Sequence, residues 1–149
     1  MVVRDTTTGS AFEGVIEAAI KRSCEKNNMK ANAQVNVGDK PGGGKHRIDW
    51  ELVDKNDENV RGLVSCKTQS TSGTAEEKIA YEVIKLLYSM KIDSRYQHGW
   101  IVLGGTGWSH SMKKFVESEL KHWVPAMENK ITIFMSTDEL VSKGISLRN

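Results

Sequence analysis

The stretch HRIDWELVDKNDENVRGLVSCKTQSTSGTAEE, residues 46–77, decides the fold. HRIDWELV (46–53) alternates, with Ile48, Trp50 and Leu52 on one face and Arg47, Asp49 and Glu51 on the other. DKNDEN is a polar turn. VRGLVSCK (60–67) is a second, more apolar strand and therefore a central one. On it Leu63, Ser65 and Lys67, with Gln69 beyond, share a face by the period of two. The serine- and glycine-rich STSG then opens into TAEEKIAYEVIKLLYSMK, the strongest helical pattern of the chain. Its apolar stripe is Ala75, Ile79, Val83, Leu86, Leu87 and Met90, with Thr74 and Glu77 spaced as a capping box.

Outward from this hairpin the pattern is regular. Upstream, residues 10–26 place Phe12, Ile16, Ala19, Ile20 and Cys24 on one helical face, with Ser10 and Glu13 as a capping box. Residues 33–38 alternate as a short strand. DKPGGGK (39–45) is a glycine-rich turn; it lacks the Gly-Lys-Ser/Thr ending and following helix of a nucleotide-binding loop. Downstream, WIVLGG (100–105) is a buried strand and SHSMKKFVESELKHW (109–123) a helix. ITIFMS (131–136) is a strand and TDELVSK a terminal helix. Helix, three strands, helix, strand, helix, strand, helix predicts one α/β domain over 1–149, a central mixed sheet flanked by helices.

Composition is that of an ordinary globular chain: 149 residues, 38% hydrophobic, 27% charged, net charge +2. Cys24 and Cys66 have neither disulfide-framework nor zinc-site spacing, which places the chain in a reducing, cytoplasmic setting. No stretch reads as a signal peptide or a membrane span. Lys21, Arg22, Lys26 and Lys30 fall on or just after the first helix; Lys40, Lys45, His46 and Arg47 surround the glycine turn. Clustered cations of this kind suit a polyphosphate partner. His46 and His110 have no nucleophile beside them in sequence.

The chemistry-bearing residues suit phosphodiester hydrolysis, which needs a bound dication, a charge stabiliser and an activated water. Asp49 supplies a hard oxygen ligand on a rigid strand, and the Cys66 peptide carbonyl a second. Lys67 on the neighbouring strand can orient water and stabilise charge, and Glu13 reaches the same point if its helix packs beside the hairpin.

Glu13 on an opening helix, Asp49 in a strand and Ser65-Cys66-Lys67 in the next resemble the PD-(D/E)xK, restriction-endonuclease-like nucleases. The resemblance covers roughly residues 9–105. It implies an αβββαβ core, Mg²⁺ dependence with Mn²⁺ as substitute, and cleavage of double-stranded or branched DNA by a homodimer. A homing, restriction or repair enzyme, encoded by a phage or mobile element, fits the chain's size, as does a Holliday-junction resolvase. Catalysis is then expected from Glu13, Asp49, Ser65, Lys67 and Gln69, and metal binding from Asp49, Cys66 and Glu13. DNA contacts are expected from Lys40, Lys45, His46, Arg47, Ser70, Ser72 and Thr74. The sequence departs from the pattern at position 65, where Ser replaces an acid. Gln69, Glu51, Glu76 or Glu77 would have to compensate. Otherwise the chain is an inactive DNA-binding relative, or a regulatory protein in which Asp49 and Lys67 form a buried ion pair.

Overall fold

The structure, a computed structural model, describes residues 3–68, 75–105 and 108–148. Helix α1 (Val3–Asn27) leads through a left-handed Asn28 (φ 56°) into β1 (Met29–Asp39), and β2 (Lys45–Asp54) and β3 (Arg61–Thr68) follow. Helix α2 (Ala75–Ile92) and β4 (Tyr96–Gly104) come next. The chain then runs through α3 (His110–Lys114), a π-helical turn (Phe115–Glu119), α4 (Leu120–Trp123), β5 (Ile131–Phe134) and α5 (Thr137–Lys143). The five strands lie in the order β1-β2-β3-β4-β5. The β1–β2 and β2–β3 pairs are antiparallel, and β3–β4 and β4–β5 are parallel. This is the α/β architecture with a central mixed sheet that the hydrophobic periods predict. No helix among the described residues is long and apolar enough to cross a membrane.

Two hydrophobic layers sandwich the sheet. Ile16, Ala19, Ile20 and Cys24 of α1 pack with Leu140 of α5 on Leu52, Val64, Trp100 and Val102. Ile79, Val83, Leu86 and Met90 of α2 pack with Met112 and Leu120 on Ile48, Leu63, Ile101 and Leu103. β3 and β4 therefore feed alternate residues to opposite layers, as their unbroken apolar runs require.

Two expectations fail locally. Helical backbone begins at Val3, so Ser10 lies two turns inside α1 and cannot cap it; Gly9 costs helix stability without ending the helix. The alternation of β2 also breaks. Ile48 lies in the α2-side layer, whereas Leu52, with Trp50 against it, lies on the α1 side. On β1, Ala31 packs towards α1 while Val35 and Val37 pack towards α2. Both strands roll over at one level, where Gln34, in left-handed backbone (φ 54°), stands between the pairs Ala33–Trp50 and Val35–Ile48, opposite Asp49. A left-handed residue reverses the pleat, so residues of the same parity end on opposite faces.

The α1 layer docks through a close approach. A Cβ added at Gly104 of β4 would collide with the ring of Phe12, the neighbour of Glu13. Gly104→Ala is therefore expected to cost about 1–3 kcal/mol by overpacking, with α1 displaced; denaturant unfolding measures the loss, and wild-type stability would refute the contact.

Candidate active site

Strands β2 and β3 pair only from Trp50–Val64 to Val53–Arg61. Past that level β2 stays with β1, through Ile48 and Arg47, and β3 stays with β4, from Ser65 to Thr68. The sheet thus forks. Asp49 stands at the fork, and its Oδ2 accepts a hydrogen bond from the Cys66 backbone N–H at 2.8 Å, in place of the missing ladder bond. This is how Cys66 enters the site: its backbone N–H is tied to Asp49.

On the α1 side of the fork an open cavity of about 480 Å³ is lined by Glu13, Glu17, Gln34, Asp49, Cys66 and Thr68, among others. Glu13, Asp49 and Cys66 thus all line one cavity. Burial, with the Asp49 charge beside it, pushes the Cys66 thiol up, so it stays a neutral thiol rather than a nucleophile. Among the described residues no three His, Cys, Asp or Glu side chains converge as ligands to one ion. Two carboxylates facing an open cavity still fit Mg²⁺, which is held by one or two carboxylates and completes its shell with water and phosphate.

Ser65 and Lys67 point to the other face of β3, towards α2. Ser65 is buried. The Lys67 ammonium lies 3.0 Å from Glu82 Oε1, and Lys85 lies 3.0 Å from the same oxygen. Glu82 is only 3% exposed, and the sequence reading missed it. Its signal was present, because it falls between Ile79, Val83 and Leu86 on the apolar stripe of α2. Burial pushes the Glu82 carboxyl up, but Lys67 and Lys85 outweigh that and hold it below the usual carboxylate range. The ion pair proposed between Lys67 and Asp49 is thus replaced by one between Lys67 and Glu82.

His46, expected at the DNA surface, is 2% exposed instead. Its Nδ1 lies 2.8 Å from Ser89 Oγ, and its Nε2 lies 4.0 Å from Glu82 Oε2 with no hydrogen-bond partner. Burial lowers its pKa against the pull of Glu82, so it is neutral. Ser89, His46 and Glu82 have the composition of a hydrolase triad, but Ser89 is fully buried and no substrate reaches it. Lys45 and Arg47 are exposed and Lys40 is half-buried. Glu51 cannot compensate for Ser65, because it is buried among Tyr96, Arg61 and Asn32, which all donate to it. Glu76 is half-buried and Glu77 exposed. Trp108 is half-buried and donates to the Gly104 carbonyl. Gln69, Ser70, Ser72 and Thr74 lie outside the described residues.

The family described as the PD-(D/E)XK nuclease superfamily domain matches residues 3–142. No curated protein and no solved structure matches the chain.

The lowered Glu82 carboxyl fixes a pH dependence. Its contribution to stability is present above the ordinary carboxylate range and is lost as pH falls through its depressed value. Glu82→Gln is therefore expected to flatten the acid limb of the stability profile. At neutral pH it should cost about 2 kcal/mol, less than a fully buried pair because both lysines can turn to water. Unfolding at stepped pH measures both; an unchanged acid limb would overturn the assignment.

Proposed function

Because the chain belongs to the PD-(D/E)XK nuclease superfamily, we propose that it is a Mg²⁺-dependent DNA endonuclease working at the β2–β3 fork. One observation carries this reading. The Asp49 carboxylate is tied to the residue between Ser65 and Lys67, so the acid of β2 and the lysine of β3 flank one backbone amide.

Asp49 and Glu13 would hold the dication from the α1 side, and Mn²⁺ would be accepted by the same hard oxygens. The bound ion would supply Lewis-acid stabilisation and a more acidic water. Lys67, held by Glu82, offers an ammonium to the charge that develops on the phosphate. Glu82 orients this ammonium from α2, and Ser65, buried on the same face of β3, adds no carboxylate of its own. Gln69, which lies outside the described residues, is a further candidate by its spacing of two from Lys67 in the sequence. Cutting both strands of a duplex takes two such sites, which a two-fold homodimer provides.

A second reading, a DNA-binding relative without activity, is favoured by the neutral Ser65 alone. Incubation of supercoiled plasmid and of a four-way junction with Mg²⁺ or Mn²⁺ separates the two and distinguishes a linear-duplex enzyme from a resolvase. Asp49→Ala, Lys67→Ala and Glu82→Ala are each expected to lower cleavage by about 10²-fold or more. Cleavage at the wild-type rate in Asp49→Ala or Lys67→Ala would sink the site, and binding without cleavage by the wild type would establish the inactive relative.

A further inference from the structure

The reversal of the pleat at Gln34 and Asp49 has a consequence for the hairpin tip. Beyond it, Val35, Val37, His46 and Ile48 are all turned towards α2. The opposite face of the β1–β2 ribbon then carries Gln34 and Asn36 on β1, and Lys45, Arg47 and Asp49 on β2. Gln34, Asn36, Lys45 and Arg47 are exposed. Lys45, Arg47 and Asp49 therefore form one row, with about 7 Å between neighbours. Its inner end, Asp49, lies in the cavity with Glu13. Among the described ion pairs neither Lys45 nor Arg47 has a carboxylate partner.

Gln34 is the unusual member. It is a long polar residue held in left-handed backbone within a strand, where glycine would make the same reversal without strain. Its side chain lines the cavity beside Asp49. An amide there offers both a donor and an acceptor to a sugar, phosphate or base edge.

We propose that this face of the ribbon is the track that lays one DNA strand into the Asp49 cavity, and that Gln34 positions the nucleotide next to the phosphate being cut. Arg47 and Lys45 take successive backbone phosphates on the way in. A chain carrying one charge per ~3.4 Å of axis on each strand offers phosphates within reach of both. The glycine turn at 42–44, with three consecutive positive φ angles, brings no Cβ of its own to the tip, where the Lys40 side chain lies against Gly44. This track rests on the nuclease reading above and adds the path of the substrate to it.

The test is binding of a labelled duplex oligonucleotide in EDTA across a salt series, for wild type, Lys45→Ala/Arg47→Ala and Asp49→Ala. The double variant is expected to lose about 1.8 from the magnitude of the log K against log salt slope, ~0.9 for each phosphate released. Asp49→Ala should keep the wild-type slope. A double variant with the wild-type slope and affinity would overturn the track while leaving the nuclease reading intact, whereas a wild type that cuts no DNA with either dication overturns that reading itself. For Gln34 the informative variant is Gln34→Gly. It should melt at a higher temperature, since the strain is relieved, and yet cut about tenfold more slowly. A Gln34→Gly protein that is more stable and cuts at the wild-type rate would remove Gln34 from the site.

Discussion

One hydrogen bond organises the functional end of the sheet: the Cys66 N–H given to the Asp49 carboxylate. Where β2 and β3 part, each loses its neighbour, and an amide left unpaired in a half-buried place costs about 1–3 kcal/mol. The carboxylate removes that cost without closing the fork. The gap stays open, and groups from both faces of the sheet reach the same level of β3. The interaction also fixes what can replace Asp49. An asparagine oxygen could accept the same bond and keep the fork in shape, but it would bring no charge for a cation. Structure and chemistry are therefore separable at this position.

On the other face the arrangement is electrostatically demanding. Glu82, Lys67 and Lys85 meet beside a neutral buried His46 whose Nε2 has no hydrogen-bond partner. Buried ion pairs contribute little to net stability, because desolvation consumes most of the Coulombic gain. Apolar residues would serve the core of α2 as well. A cluster of this kind, at the end of the strand that carries Cys66, fixes where the Lys67 ammonium stands more than it stabilises the fold.

The elements were legible because periodicity records burial. The apolar β3, the stripe of α2 and the inner face of α1 all write their packing partners into spacings of two, three and four. The fork and the pleat reversal were not legible, because the left-handed residue is a glutamine and nothing in its type marks it. His46 was misread because it stands in a basic run, Lys45-His46-Arg47, where only its parity with Ile48 points inward. Glu82 was hidden by the reverse effect. A stripe defined by its apolar members absorbs one acid without losing its period. Glu13 and Asp49 could be expected at one point because each sits on a polar face of its element, and both line the cavity.

The neutral residue at 65 then becomes intelligible in the presence of Glu82. Leu63, Ser65 and Lys67 occupy the α2 face of β3, and Ser65 and Glu82 are both buried on that side. An acid at 65 would bring a second buried carboxylate to Lys67, and two such anions in one site raise the pKa of at least one of them. One would be protonated, or the helix would be pushed from the sheet. Ser65 and Glu82 are thus complementary: with a neutral residue on the strand, Lys67 meets a single buried carboxylate from the helix, whose charge Lys85 helps to hold.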